Sequence, residues 1–168
     1  MNQYIIYTDG SSRGNPGPGG WAAIIVESRK SRVESQNIGT GKEGEGAIIK
    51  EIGGREEHTT NNRMELKAAI EGLKAVPTGS KVNLIADSEY VVKGITLWIK
   101  NWLLRKWRTA DKKPVLNQDL WQELLKATEG KDISWKVVRG HAGIKHNERA
   151  DEIATAFADN VPIELREK

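Results

Sequence analysis

Cysteine is absent from all 168 residues, which removes disulfides and thiolate-held metals from consideration. No apolar run approaches the roughly 20 residues needed to cross a bilayer. The chain opens Met-Asn-Gln-Tyr-Ile-Ile-Tyr, without the charged start and apolar middle of a secretory leader. A soluble cytoplasmic protein with no membrane partner is expected. Internal repeats and low-complexity linkers are also lacking. A chain of this length can bury a hydrophobic core without staples, so one domain over 1–168 is expected.

The net charge is small but uneven along the chain. The net value is +3, yet the segment from Lys93 to Lys113 holds Lys93, Lys100, Arg105, Lys106, Arg108, Lys112 and Lys113 against one acid, Asp111. That segment carries +6, which leaves −3 on the rest. Such runs are usually solvated helix faces. This one also contains Trp98, Trp102 and Trp107, which a merely solvated face has little use for, so a polyanion held at one place is expected.

Residues 4–8 are β-branched and aromatic and end at Asp9-Gly10, which predicts a strand and a turn. The stretch 13–20 is rich in glycine and proline and reads as a loop. Strands are predicted over 21–26, from 47 to 52, over 82–86 and over 134–138. Apolar residues at Leu66, Ala69, Ile70 and Leu73 have helical spacing, closed by Pro77 and Gly79. Further helices are predicted from 88 to 104, from 118 to 128 and from 148 to 158. Three strands, helix, strand, helices, strand, helix describes an antiparallel meander feeding a parallel βαβ unit. The fold class is therefore α/β, a mixed five-stranded sheet flanked by helices.

Four acids occupy distinctive settings. They are Asp9 in Tyr-Thr-Asp-Gly-Ser, Glu65 in Thr-Thr-Asn-Asn-Arg-Met-Glu-Leu, Asp87 in Ile-Ala-Asp-Ser, and Asp151 in Asn-Glu-Arg-Ala-Asp. Taken singly, each has an ordinary reading: a turn at Asp9-Gly10, a first-turn helix acid at Glu65, an N-cap at Asp87-Ser88, a helix-surface acid at Asp151. If the strands ending at Asp9 and Asp87 are neighbours, both carboxylates leave the same sheet edge. Early helical turns would then bring Glu65 and Asp151 close. Like charges so near repel unless cations intervene, and hard divalent cations take oxygen ligands.

The four motifs, in this order and with their connecting text, resemble type 1 ribonuclease H, the bacterial type with a basic protrusion. This family cuts the RNA strand of RNA–DNA hybrids, and the resemblance runs from about Ile5 to about Ala158. It implies the ribonuclease H-like fold, a monomer, a hybrid duplex as partner, and endonucleolytic hydrolysis that leaves 5′-phosphate and 3′-hydroxyl ends. It also implies two Mg²⁺ ions, with Mn²⁺ as a substitute. Asp9 would bridge both ions, and Asp151 would help it hold the ion that activates water. Glu65 and Asp87 would complete the second ion, facing the leaving oxygen. His141, in Arg-Gly-His-Ala-Gly, matches the family's loop histidine that assists proton transfer, and its ordinary titration range suits that task.

On the substrate side, the resemblance sets Asn15, Asn61 and Asn62 against the minor groove, where a 2′-hydroxyl is detected. Trp98, Asn101 and Trp102 belong with the basic protrusion that receives the DNA strand. Trp98 and Trp102 are four apart and share a helix face, a pattern that usually means core, with Ile95 and Ile99 as the alternative core residues. A DNA phosphate pocket would use Thr60 and Asn117, plus a third position occupied here by His58 where a basic side chain is common. Glu89, two after Asp87, is a second departure.

Residues 39–44, Gly-Thr-Gly-Lys-Glu-Gly, fit the dinucleotide-binding GxGxxG pattern. They precede a predicted strand rather than open a helix, so no cofactor is assigned to them. Residues 28–46 read as a hairpin or loop insertion, and 159–168 as a C-terminal tail. Alternatives are another nuclease on the same fold, a hybrid-binding module without catalysis, and a domain of a reverse transcriptase. A binding module would be expected to lack one of the four acids, and all four are present.

Overall fold

The computed structural model describes residues 2–28, 47–138 and 144–167. Its elements, in chain order, begin with strands β1 (Gln3–Ser12), β2 (Gly17–Ser28) and β3 (Ala47–Thr59), followed by helix α1 (Asn61–Lys74) and strand β4 (Lys81–Ala86). A short helix α2 (Glu89–Lys93), a π-helical turn (Gly94–Trp98) and α3 (Ile99–Leu104) then run on from one another. Helix α4 (Gln118–Thr128), strand β5 (Asp132–Val137) and helix α5 (Lys145–Ala158) complete the set. The sheet order is β3-β2-β1-β4-β5. β1 pairs antiparallel with β2 and parallel with β4, β2 pairs antiparallel with β3, and β4 parallel with β5. This is the expected mixed sheet of three antiparallel strands followed by parallel ones.

Strand alternation divides the core in two. Ile6, Ala23 and Ile25 point to one face, where they pack with Leu66, Ile70 and Leu73 of α1 and with Trp121 and Leu124 of α4. Tyr7, Ala22, Ile24 and Val26 point to the other, where Ala150, Ile153 and Ala154 of α5 cover them. The central strand is therefore buried on both sides, and α1 and α5 reach its end from opposite faces.

Several boundaries differ from the sequence expectation. The glycine-rich stretch is a loop only at 13–16, because Gly17–Gly20 already belong to β2, with Ser11 opposite Gly20. Glycine serves there for close approach rather than for a turn. A Cβ on Gly20 would lie 2.2 Å from the Ala154 carbonyl oxygen, so only glycine lets α5 settle on the sheet. β3 runs to Thr59 rather than stopping at residue 52, and α5 begins at Lys145 rather than at 148. Ser28 is the last residue of β2, while the rest of the expected insertion lies outside the described residues. The tail does not hang free. Glu51 N–H donates to the Arg166 carbonyl (2.7 Å), and Lys50 pairs antiparallel with Glu167.

Candidate active site

Thr8 of β1 sits beside Ala86 of β4 in parallel register, so Asp87, which follows the end of β4, comes beside Asp9. β1 does not turn at Asp9-Gly10 as expected but runs on to Ser12, with Asp9 opposite Ala22. α1 passes directly over this edge. A Cβ on Gly10 would fall 2.4 Å from the Glu65 nitrogen, so the glycine after Asp9 is what allows the helix to bring Glu65 so near. Carboxylate oxygens of Asp9, Glu65 and Asp87 all lie within 4.8 Å of one another. Asp151 stands outside this tight group, exposed on α5, yet close enough to Asp9 to act on its proton affinity.

The electrostatics follow from burial. Asp9 is 3 % exposed and Glu65 4 %. Burial, followed by the charges of Asp87 and Asp151, pushes the Asp9 carboxyl up to about 8. Burial, then Asp9 and Asp87, holds Glu65 well above the usual carboxylate range. Asp9 Oδ1 accepts from Gly10 N–H at 2.8 Å. Its Oδ2 and Glu65 Oε2 are buried with no hydrogen-bond partner among the described residues. Orphaned, crowded carboxylate oxygens are unfavourable in a metal-free protein and suit a hard divalent cation. The donor set therefore fits a metal.

Asp87 is not a helix cap. Ser88 takes that place, accepting from Val91 N–H at 3.3 Å, which leaves Asp87 to the cluster. Glu89 sits in the first turn of α2 and pairs with Lys93 at 3.2 Å, outside the three-carboxylate group. His141 lies outside the described residues.

The predicted substrate residues fall into two groups. Asn15, His58 and Asn61 are exposed around the start of α1, with Asn62 half-buried. The Asn15 side-chain oxygen accepts from Asn61 N–H at 2.9 Å, tying the 13–16 loop to the helix. Of the residues suited to capping there, Thr60 is the cap, accepting from Arg63 N–H at 3.2 Å. The Arg63 guanidinium then reaches Asn117 Oδ1 at 3.3 Å and grips Asp119 through two bonds of 3.0 and 2.8 Å. Thr60 and Asn117 are thus linked through Arg63, a residue the sequence reading passed over although it stands three after Thr60.

The second group is aromatic. Trp98 is 36 % exposed, Asn101 is exposed, and Trp102 and Trp107 are partly buried against the core. Ile99 is buried and Ile95 packs against the core as expected, but Trp102 packs there too, so only Trp98 is left at the surface of that helix face. Trp98 and Trp102 have ring centroids 6.0 Å apart, and Trp102 continues to Trp107 at 6.3 Å and to Trp121 at 5.2 Å. Tyr90, also unforeseen, joins the groups because its hydroxyl accepts from Asn117 Nδ2 and Trp121 Nε1, both at 3.1 Å. All seven basic side chains of the 93–113 segment are exposed beside these rings.

Similarity to known proteins agrees with this geometry. The RNase H family model matches residues 1–159. A ribonuclease H of Hydrogenovibrio crunogenus is 47 % identical over 161 residues, covering 96 % of this chain and 99 % of that protein. Among solved structures, LC9-RNase H1, a type 1 RNase H with the type 2 active-site motif, superposes with a TM-score of 0.79 at 31 % identity. That match covers 100 % of this chain and 78 % of the other. The fold is also shared by LC11-RNase H1, solved in complex with an RNA/DNA hybrid, with a TM-score of 0.61 at 23 % identity over 94 % and 97 % of the two chains. With its sheet order, its converging acids and these likenesses, the chain belongs to the ribonuclease H family of nuclease hydrolases.

Proposed function

We propose that the chain hydrolyses the RNA strand of RNA–DNA hybrids as an endonuclease, using two divalent cations and leaving 5′-phosphate and 3′-hydroxyl ends. The observation that carries this reading is the meeting of Asp9, Glu65 and Asp87 within 4.8 Å, two of them with orphaned buried oxygens. Asp151 would complete the set from α5, whose packing is on the other face of the sheet. These four residues would hold Mg²⁺, with Mn²⁺ as a substitute. When bound, such ions activate water, neutralise developing charge and stabilise the leaving oxygen. Asp9 would be the shared ligand, being grouped with Glu65 and Asp87 and buried between them.

The rest of the chain orients the substrate and moves protons. Asn15, Asn61 and Asn62 would meet the minor groove, where ribose differs from deoxyribose. Thr60, Asn117 and His58 would take a DNA phosphate, with Arg63 and Tyr90 fixing Asn117. Trp98, Asn101, Trp102 and the exposed lysines and arginines would carry the DNA strand through stacking and charge. His141 would carry a proton at the leaving side. The test is a gel assay of one labelled RNA strand, presented alone, paired with RNA or paired with DNA, in Mg²⁺ or in EDTA. Metal-dependent cutting of the hybrid alone, lost in Asp87→Asn, is the expected result. Tight hybrid binding without cutting would move the protein to the binding class.

A further inference from the structure

One carboxylate outside the acidic cluster is as deeply buried as those within it. Glu51 of β3 has a side chain with no exposed surface, and it receives three donors. Arg149 Nε reaches its Oε2 at 2.9 Å, Arg149 Nη2 its Oε1 at 3.0 Å, and Arg166 N–H the same Oε1 at 2.9 Å. Arg149 Nη2 also donates to the Glu164 carbonyl at 2.7 Å, and its Nη1 to Glu152 at 3.1 Å. One arginine thus joins β3, α5 and the returning C-terminal tail.

Its place on α5 matters. Arg149 precedes Asp151 by two residues in the early turns of the helix, where Ile144 provides no side-chain cap. Apolar packing of Ala150, Ile153 and Ala154 holds the helix down, but such contact is non-directional and small side chains permit rotation. The far end of α5 is tied separately. Arg55 Nη1 donates to the Phe157 and Ala158 carbonyls at 3.0 and 2.6 Å, and Arg13 grips Asp159 at 2.6 and 2.7 Å. A carboxylate tip rides on a radius of about 5–6 Å, so each ten degrees of helix rotation moves it about 1 Å. Metal sites tolerate less than that.

We infer that Glu51 is a positioning residue for Asp151: through the two-pronged contact with Arg149, and with the C-terminal tail as its backing, it sets the rotation of α5 and so the place of the fourth carboxylate. A buried ion pair adds little net stability over an apolar substitute, so its distinctive contribution here is geometric. The inference rests on the metal reading proposed above.

The experiment is calorimetric titration of Mg²⁺ into the nucleic-acid-free protein, with thermal midpoints and hybrid KM measured alongside. The proteins are wild type, Glu51→Gln, Arg149→Lys, and Leu124→Ala, a buried change on α4 away from α5. Loss of a supporting contact behind a ligand lowers metal affinity roughly tenfold or more. Glu51→Gln and Arg149→Lys should therefore raise the Mg²⁺ Kd about tenfold with hybrid KM unchanged. Leu124→Ala should lose thermal stability without moving that Kd. Should Glu51→Gln fail to fold, Arg149→Lys carries the comparison. A Kd unchanged in the position-149 and position-51 variants, or shifted equally in Leu124→Ala, would overturn the inference alone. Absence of Mg²⁺ binding by the wild type would overturn the metal reading and this inference with it.

Discussion

Two sets of buried carboxylates in this molecule are treated in opposite ways. Glu51 is enclosed by an arginine and a backbone N–H; burial pushes its carboxyl up, but the bonds from Arg149 and Arg166 outweigh it and leave it below the usual range. Asp9 and Glu65 are enclosed by other acids, and both are held above that range. Burial is common to the two regions, and partners decide the outcome. One region is complete as a protein, whereas the other has the donors to hold a cation. A buried carboxylate by itself is therefore no sign of a functional site; one whose neighbours are carboxylates is.

That contrast can be broken experimentally, and the largest effect should be on activity. Asp9→Asn and Glu65→Gln should each reduce hybrid cleavage by roughly 10⁴-fold, more than about 5 kcal/mol of barrier, in a single-turnover assay with excess Mg²⁺. Cleavage surviving within tenfold of wild type would contradict the cluster's role. On stability the two regions should answer with opposite signs. Glu51→Ala leaves Arg149 without its buried partner and should cost about 3–5 kcal/mol in urea unfolding. Asp9→Asn removes a crowded acid, and in EDTA near pH 7–8 should stabilise by ~2–4 kcal/mol.

The pH dependence sharpens the same comparison. In the folded chain burial and the neighbouring acids push Asp9 up to about 8, against 3.8 for an ordinary aspartate carboxyl. Between those values the folded protein holds more protons than the unfolded one, so this contribution to stability falls as pH rises. It is fully present below about pH 4 and lost through pH 8. Glu51 has the reverse sign: its contribution is present above the unfolded carboxylate pKa and is lost as pH falls through its lowered folded value. In EDTA, wild type should lose stability from pH 5 to 8, Asp9→Asn should lose less, and saturating Mg²⁺ should flatten the wild-type curve. Parallel curves for the two proteins in EDTA would remove Asp9 as the cause.

Smaller effects are expected at the margins of the site. His141→Ala should slow cleavage by roughly 100-fold without abolishing it, at the low end of the range for a proton-transfer group. A variant as inactive as Asp9→Asn would refute the assisting role. Trp98→Ala should weaken hybrid binding by about tenfold, close to 1.4 kcal/mol, with little change in kcat, since its ring is partly open to solvent. Loss of melting temperature with unchanged KM would instead make Trp98 a packing residue.

The order of elements was readable because period-two and helical patterns mark which faces are apolar. The acids Asp9, Glu65 and Asp87 were readable because each stands in a recognisable local text, although Asp9 lies inside β1 rather than at its end. Arg63, Tyr90 and Trp121 were not singled out, since their partners are far along the chain: Asn117 and Asp119 for Arg63, and Asn117 and Trp121 for Tyr90. Composition marks 17–20 as loop although they open β2, because it does not distinguish a turn from a close helix approach. Glu51, in the unremarkable run Ile-Ile-Lys-Glu-Ile, met its arginine 98 residues away.

By itself, the sequence determined which side chains carry charge, which stripes are apolar, and hence the fold class and the identity of the four acids. Those are properties of residue type and short spacing. Only the tertiary structure decided which carboxylates lose their water and what they face afterwards. Desolvation and charge pairing depend on neighbours brought together by chain crossings, and these set Asp9 and Glu51 on opposite sides of the ordinary carboxylate range.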